Sequence, residues 1–342
     1  MTKKFTKKVL SGLLITAMAG SFAACGSGGN TPAQETTGSA ASGSTAEAEG
    51  EWSPAQNISM IVAYKAGSGT DNTARVLSEF ATKEMGQTVV INNLEGGSGS
   101  IGWTSLAQAK PDGYTLGFIN LPTVCSNIVE GLGDYTMEDF VPVCNHVDET
   151  ALVLVSADSE FDTLEDLVAY AQDHPGELKA STNGEKASNH IGAQLLASSA
   201  DFEYSAIPYG GTADQLLALR QGEVDFSVAK EADIAAMMSE VKVLGVFSEE
   251  RMENFLDVPT LGELGYYDKW YGSRRVIVAP KGTPQNIIDY YEKAFKTAME
   301  DPEYVDAAEQ AGITTYFMDQ EETAAMLEGQ YAFCTDEVAE LW

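Results

Sequence analysis

Glycine-containing turns recur at the ends of apolar strands, and three of the four pass straight into a helix. They are KAGSGTD (65–71), EGGSGSIG (95–102), STNGEKASNH (181–190) and YGGTADQ (209–215). Strand–helix–strand units with glycines at the carboxyl ends of the strands are typical of parallel sheets covered by helices. The chain is therefore predicted to be an α/β protein.

Hydrophobic periodicity and turn residues predict the elements around these turns. Three places have residues typical of helix starts: Thr163 before an acidic turn, Thr283-Pro284 and Asp301-Pro302. The predicted strands are 58–64, 88–92, 114–120, 151–157 and 241–248, with others in 205–229 and at the start of 276–312. The predicted helices are 71–86, a short one before Pro111, 163–176, one around 188–200, one in 205–229, two in 276–312 and a last from about 320.

The turns also carry a functional prediction. Unpaired N–H groups at a helix N-terminus bind anions without a basic side chain, and glycine lets the backbone approach the ligand. The chain has 20 Lys and Arg against 51 Asp and Glu, a net charge of −31, which excludes nucleic-acid binding. We therefore expect main-chain dipoles, rather than cationic side chains, to hold a small carboxylate. Nucleotide-binding fingerprints are missing, because Gly67-Ser68-Gly69 lacks the later residues that they require.

The first fifty residues are predicted to be a targeting segment and a linker. A basic start and an apolar run at 1–24 indicate a signal peptide. SFAACGSG resembles a bacterial lipobox, which predicts lipidation of Cys25 and a membrane anchor; an ordinary export signal that contains a cysteine is the alternative. Residues 25–51 are poor in apolar side chains and are expected to form a flexible tether.

The remaining cysteines and the histidines give no catalytic or metal motif. Cys125, Cys144 and Cys334 match no metal spacing, and either a Cys125–Cys144 disulfide or buried free thiols fits them. No metal or cofactor is expected. The chain has neither a Gly-x-Ser-x-Gly nor a His-Glu-x-x-His motif. His190 is either a helix-start residue with a local hydrogen bond or a cleft residue, and the chain is predicted not to be an enzyme.

Several side chains near the turns are candidates for ligand contact. Arg274, in the pair Arg274-Arg275, either forms a salt bridge at the surface or reaches the cleft as a carboxylate fork. Asp71 is expected first to cap a helix and second to contact the ligand. Weaker candidates at strand ends or as cleft walls are Lys65, Lys230, Asn120, Tyr64, Tyr209 and Trp270.

Taken in order, these stretches resemble one family. IVAYKAGSGTDNTARVLSE and INNLEGGSGSIGWTSLAQAKPDGYTLGF are similar to its two signatures, and IPYGGTADQLLALRQGEVDF, LDVPTLGELG and VAPKGTP follow in family order. The family is that of the solute-binding proteins of tripartite tricarboxylate transporters, the TctC-like or Bug proteins. The resemblance runs from about Ile58 to Gln310. Leu94-Glu95, Ser68 and Lys65 depart from the family pattern and leave open which acid is bound.

The resemblance implies a type II periplasmic-binding-protein fold, with two lobes and a ligand cleft between them. Lobe one would combine 52–153 with 273–342, and lobe two would be 154–272. One ligand carboxylate would be held by the first two glycine loops and the far end by the turns of lobe two. Carried over by position, these residues are Ala66, Gly67, Ser68, Gly69, Thr70, Asp71, Gly97, Ser98, Gly99 and Ser100, then Ser181, Asn183, Ser188, Tyr209, Gly210, Gly211 and Thr212.

The resemblance also implies a function. The chain would be a monomeric, lipid-anchored protein on the extracytoplasmic face of the cell membrane, which captures a small carboxylate and delivers it to membrane transporter subunits. Two alternatives use the same cleft: a ligand-sensing receiver for a membrane kinase, and an extracytoplasmic enzyme on this fold.

Overall fold

The structure is a computed structural model that describes residues 52–342. The predicted signal peptide, Cys25 and the tether lie outside these residues. The strands are β1 Ile58–Val62, β2 Val89–Asn93, β3 Thr115–Leu121, β4 Phe140–Ser156, β5 Lys179–Thr182, β6 Ser205–Pro208, β7 Phe226–Lys230, β8 Val241–Val246, β9 Gly272–Pro280 and β10 Thr315–Met318. The helices are α1 Gly69–Met85, α2 Ser100–Ala107, α3 Thr123–Val129, α4 Leu164–Asp173, α5 Ser188–Ser199, α6 Thr212–Arg220, α7 Glu231–Ile234, α8 Gln285–Glu300, α9 Pro302–Gln310 and α10 Gln320–Asp336.

The strands form one hydrogen-bonded path that consists of two halves joined by β4. The order is β2-β1-β3-β9-β4-β7-β5-β6, and β8 and β10 also pair with β4. β9 pairs with β4 over Phe140–Thr150, and β7 pairs with it from Ala151 onward. One long strand therefore belongs to two sheets, and it changes partners at Thr150. The lobe boundaries at 153/154 and 272/273 lie near this change and stay a prediction.

Strands β1, β2 and β3 run parallel to one another, and so do β5, β6 and β7. In β1 and β3, alternating side chains belong to different hydrophobic cores. In β3, Leu116 and Phe118 pack against α1 and α8 residues, whereas Ile119 and Leu121 belong to the core that includes Trp103. Because both faces of β1 and β3 are buried, these two strands are largely apolar. Helices on both faces leave the carboxyl ends of the strands accessible.

The predicted α/β elements are present, but α3, α7 and β10 were not predicted, and β4 is 17 residues long where only 151–157 was expected. The first part of β4 has a proline and several polar residues, which conceal its strand character. Tertiary hydrogen bonds reach several of these polar groups: Asn145, for example, donates through Nδ2 to the Tyr316 carbonyl at 2.7 Å.

All three cysteines of the described residues are free and buried, so the free-thiol alternative is confirmed. Cys125 and Cys144 lie in different cores, which rules out the disulfide in this structure. Cys125 instead lies beside Cys334 of α10, and a hydrogen bond between them, together with burial, raises the pKa of the Cys125 thiol.

Within residues 52–342, no helix combines the length and the apolar character that crossing a membrane requires.

Candidate functional site

The carboxyl ends of the two parallel strand sets face one cavity of about 710 Å³. Loops that follow β1, β2 and β3 line one side, and loops that follow β5, β6 and β7 line the other. β9 runs antiparallel to β3 and β4, so the first residues of β9 also lie at this cavity. There Asn120 of β3 pairs with Arg275 of β9, and Glu149 of β4 pairs with Ser273 of β9. Ligand sites at the carboxyl ends of strands are usual in α/β proteins.

The first glycine loop is braced by its own side chains. Ser68 caps α1, and its Oγ accepts the Asp71 N–H at 3.2 Å. The Asp71 carboxylate accepts the Gly67 N–H at 2.8 Å, and Arg75 and Asn93 also donate to it. Burial alone would raise the pKa of Asp71, but these hydrogen bonds bring it below its usual value. Asp71 is thus committed to holding the loop.

Two N–H groups of this loop remain for a ligand. Gly69 and Thr70 occupy the first turn of α1, where the helix offers no acceptor, and both line the cavity. A Cβ on Gly69 would lie 3.2 Å from Nη2 of Arg275, so glycine permits this close approach. Thr70 Oγ1 accepts from Asn120 Nδ2 at 2.8 Å, which fixes its side chain.

The second glycine loop is folded tightly against an aromatic ring. Gly99 has φ +97°, and a Cβ there would lie 2.7 Å from the Trp103 ring, so no larger residue fits. Asn127 Nδ2 donates to the Ser98 carbonyl at 3.2 Å. Ser98 and Gly99 line the cavity, and Glu95 stands exposed at its rim.

Two further helix N-termini face the cavity from the other side. Neither α5 nor α6 has a side-chain hydrogen bond at its capping residue, Ala187 or Gly211. Their first residues, Ser188 and Thr212, line the cavity. The dipoles of α1, α5 and α6 therefore place three positive helix ends around one space.

Lys65 contacts the loop on the opposite side of the cavity, at the start of α6. Its Nζ lies 3.9 Å from Asp214 Oδ2, and a Cβ on Gly211 would be 3.8 Å from its Cε. Both side chains of this ion pair are about half exposed, so it adds little stability. The contact nevertheless narrows the mouth of the cavity.

Lys230 is a buried cation on the cavity floor. It ends β7, is 3% exposed, and donates through Nζ to Ser188 Oγ at 3.1 Å and to Asn189 Oδ1. Burial lowers the pKa of Lys230 to about 8, although Asp233 and Glu149 partly offset the effect. At neutral pH it is an ammonium group that lacks bulk solvent.

Arg275 is the second buried cation, and it is paired with Glu149. Its Nη2 lies 2.7 Å from Glu149 Oε2, with both side chains at most 8% exposed. Burial raises the pKa of Glu149, against the lowering effect of Arg275. Arg275, Glu149, Lys230 and Asp233 thus form a charge cluster, two of each sign, where the sheet halves meet.

The structure brings most of the candidate residues together around the cavity. The predicted residues that line it are Tyr64, Lys65, Gly67, Ser68, Gly69, Thr70, Ser98, Gly99, Asn120, Asn183, Ser188, Tyr209, Gly210, Gly211, Thr212 and Lys230. Those that do not line it are Ala66, Asp71, Gly97, Ser100, Ser181, His190, Arg274 and Trp270.

Arg274 and His190 have structural partners instead. Arg274 forms an ion pair with Asp148 at 3.0 Å and stacks on Trp270, 4.0 Å from the ring centroid. His190 Nδ1 accepts the Lys186 N–H at 2.9 Å, the local hydrogen bond that was one of the two readings of this residue. Burial lowers the pKa of His190 to about 4, so the ring is neutral at physiological pH.

The cavity residues that were not predicted as site residues include Glu149, Asn189, Asp233 and Arg275. Strand alternation contained the signal for one of them. Ser273 and Arg275 share a face of β9, opposite to Arg274, but the sequence does not say which face meets the cavity. Glu149 lies within β4, Asn189 in the first turn of α5 and Asp233 in α7, and no sequence motif marks these three side chains as site residues.

Comparison with known proteins identifies the family. A sequence model of the tripartite tricarboxylate transporter family receptor, TctC, matches residues 73–335. The chain belongs to the TctC family. The "UPF0065 protein in gbd 5'region" of Cupriavidus necator is 30% identical over 284 residues, 82% of this chain and 85% of that protein.

Solved structures give the same fold. The periplasmic binding protein BugD is 26% identical, with a TM-score of 0.75 over 84% of this chain and 98% of that one. Two further solved structures share the fold. A protein of R. palustris solved with adipate is 23% identical, with a TM-score of 0.77 over 84% of this chain and 97% of that one. MatC of Rhodopseudomonas palustris with bound malate is 24% identical, with a TM-score of 0.73 over 82% of this chain and 97% of that one. The predicted family and binding-protein fold are confirmed, and this TctC receptor is a solute-binding protein.

Proposed function

We propose that this TctC receptor captures a small carboxylate in the cavity between the two sheet halves and delivers it to a membrane transporter. The observation that carries the proposal is the convergence of three helix N-termini and two buried cations, Lys230 and Arg275, on one cavity of about 710 Å³. Such an arrangement favours an anion over a neutral solute. The adipate and malate in two proteins of the same fold support this class of ligand.

Each side of the cavity has its own part. The N–H groups of Gly69 and Thr70, with Ser98, receive one carboxylate through backbone dipoles. Lys230 and the start of α5 receive a second acidic group at the far end. Binding then joins loops of the two proposed lobes, 52–153 with 273–342 and 154–272, and stabilises their closed arrangement. No bond of the solute is made or broken.

Calorimetric titration tests the ligand class. The panel comprises dicarboxylates, tricarboxylates, hydroxy acids, aromatic acids and acidic amino acids, with neutral sugars of similar size as controls. We expect saturable binding of at least one acid at one site. Binding of a sugar alone, or of none of the acids, would refute the proposal. The variant Lys230→Met should weaken binding of diacids, whereas Lys242→Met, on the outer surface beside Asp162, should not.

We also propose that Cys25 is lipidated and holds the protein on the extracytoplasmic face of the membrane. Expression of the Cys25→Ser variant should move the protein from the membrane fraction to the soluble fraction. Mass spectrometry of the native protein should show a diacylglycerol mass on residue 25. An unmodified residue 25 in membrane-free protein would contradict the anchor. Loss of acid uptake when the receptor is deleted, restored by its expression, tests delivery to a transporter.

A further inference from the structure

The ionisable side chains that line the cavity balance in sign. Lys65, Lys230 and Arg275 face Glu95, Glu149 and Asp233 among the described lining residues. This balance, together with the helix N-termini, suits a ligand with both a negative and a positive group.

Glu149 has an acceptor without a donor. Its Oε2 lies 2.7 Å from Arg275 Nη2 in an ion pair, but both carboxylate oxygens are buried and neither accepts a well-aligned hydrogen bond. The residue is 3% exposed and lines the cavity. A buried carboxylate oxygen without a donor is costly, and native proteins rarely leave one unexplained.

A second acceptor lies on the neighbouring strand. Asn120 Nδ2 donates to Thr70, but its Oδ1 is buried and unpartnered. Asn120 pairs in register with Arg275, and Glu149 pairs in register with Ser273. Ser273 is two residues before Arg275 and lies on the same face of β9. The two acceptors therefore flank Arg275 on the cavity floor, close to the start of α1.

An ammonium group satisfies these acceptors better than a hydroxyl group does. It offers three N–H donors and a positive charge, whereas a hydroxyl offers one donor and no charge. Charge-assisted hydrogen bonds to a buried carboxylate are roughly twice as strong as neutral ones. The Nε of Arg275 is also unpartnered, so the same place offers a donor for the adjacent carboxylate of the ligand.

We propose that the ligand is an amino-substituted carboxylic acid whose ammonium group is bound by Glu149 and Asn120 while its carboxylate occupies the loop at the start of α1. This inference rests on the proposed carboxylate-binding function and names the solute class within it. Lys230, at the far side, favours a second carboxylate and thus an acidic amino acid over an apolar one.

Matched pairs of ligands test the proposal on the unaltered protein. Calorimetry compares L-aspartate with succinate, L-glutamate with glutarate, and L-phenylalanine with 3-phenylpropanoate. The proposal predicts that the amino member of at least one pair binds about tenfold more tightly or better. Equal or tighter binding of the amino-free member in every pair overturns this inference and leaves the carboxylate function standing. Failure of every acid to bind overturns both.

Comparison with malate tests whether the site requires an ammonium group or only a hydrogen-bond donor. Malate differs from L-aspartate by a hydroxyl group in place of the amino group. Weaker binding of malate is expected, by about tenfold. Malate that binds as tightly as L-aspartate shows that a donor without charge suffices and overturns the assignment of an ammonium.

The variant Glu149→Gln assigns the effect to one residue. It should lower the affinity for the amino member at least about tenfold and leave the affinity for its amino-free partner within about twofold. The control Glu138→Gln removes an exposed carboxylate that pairs with Lys281 away from the cavity, and it should alter neither affinity. An equal loss for both ligands in Glu149→Gln contradicts the assignment. The ligand-pair comparison decides the proposal if this variant does not fold.

Discussion

The buried ammonium of Lys230 predicts a specific pH dependence of binding. Its pKa of about 8 reflects burial, with Asp233, Glu149 and Arg275 as the charged groups that act on it. An anionic ligand binds the protonated form better, so affinity should be nearly constant below about pH 7 and fall as the pH rises through about 8. If binding requires the ammonium, the protonated fraction falls about tenfold between pH 7 and pH 9, or about 1.4 kcal/mol.

The assay is calorimetry from pH 6.5 to pH 9.5 with a dicarboxylate that has no amino group, so the ligand does not titrate. A loss of stability caused by Lys230 itself does not explain a fall in affinity in this range. The pKa of Lys230 is lower in the folded chain than in the unfolded chain, so this residue adds stability as the pH rises from about 8 to about 10. The Lys230→Met variant should bind more weakly at pH 7 and show no such decline.

Two results would refute the reasoning. The first is an affinity in the unaltered protein that stays constant from pH 7 to pH 9. The second is a decline that persists in Lys230→Met, because another group would then be responsible. The control Lys242→Met should retain the full pH dependence, since its ammonium pairs with Asp162 away from the cavity.

Three further substitutions test the site and the fold. Gly69→Val places side-chain atoms against the guanidinium of Arg275 and should lower ligand affinity at least about tenfold, as measured by calorimetry. The control is Gly329→Val, where a Cβ has no neighbour within 4 Å, and equal ligand affinities of the two variants would contradict a role for the first glycine loop. Arg274→Ala should lower the free energy of unfolding in urea by about 1–3 kcal/mol and leave ligand affinity unchanged; a large loss of affinity would place this residue in the site. Thr163→Ala removes the α4 cap and should lower stability by about 1 kcal/mol; an unchanged urea midpoint would contradict that role.

Local patterns in the sequence predicted much of the fold. The strand at Ile58–Val62 and the helix at Gly69–Met85 follow from an apolar run, a glycine turn and a periodic face. The first part of β4 was missed because its polar side chains are satisfied by distant partners, such as His146 by Tyr304 at 2.5 Å. No local pattern contains that information.

The sequence predicted the part of the candidate cavity that the glycine turns form. Glycine marks Gly69 and Gly99 in the sequence because their positions need close approach or a positive φ. Glu149 and Arg275 carry no such mark, since both lie in ordinary strands and become neighbours only when β4 pairs with β9. The sequence therefore predicted the main-chain part of the site and missed most of the buried charges.

A crystal structure of the protein with its tightest acid tests the central claim most directly. We expect a ligand carboxylate within hydrogen-bonding distance of the Gly69 and Thr70 N–H groups, at the start of α1. A carboxylate held only by Lys230 and Arg275, with these N–H groups unoccupied, or a ligand outside the cavity, would contradict it.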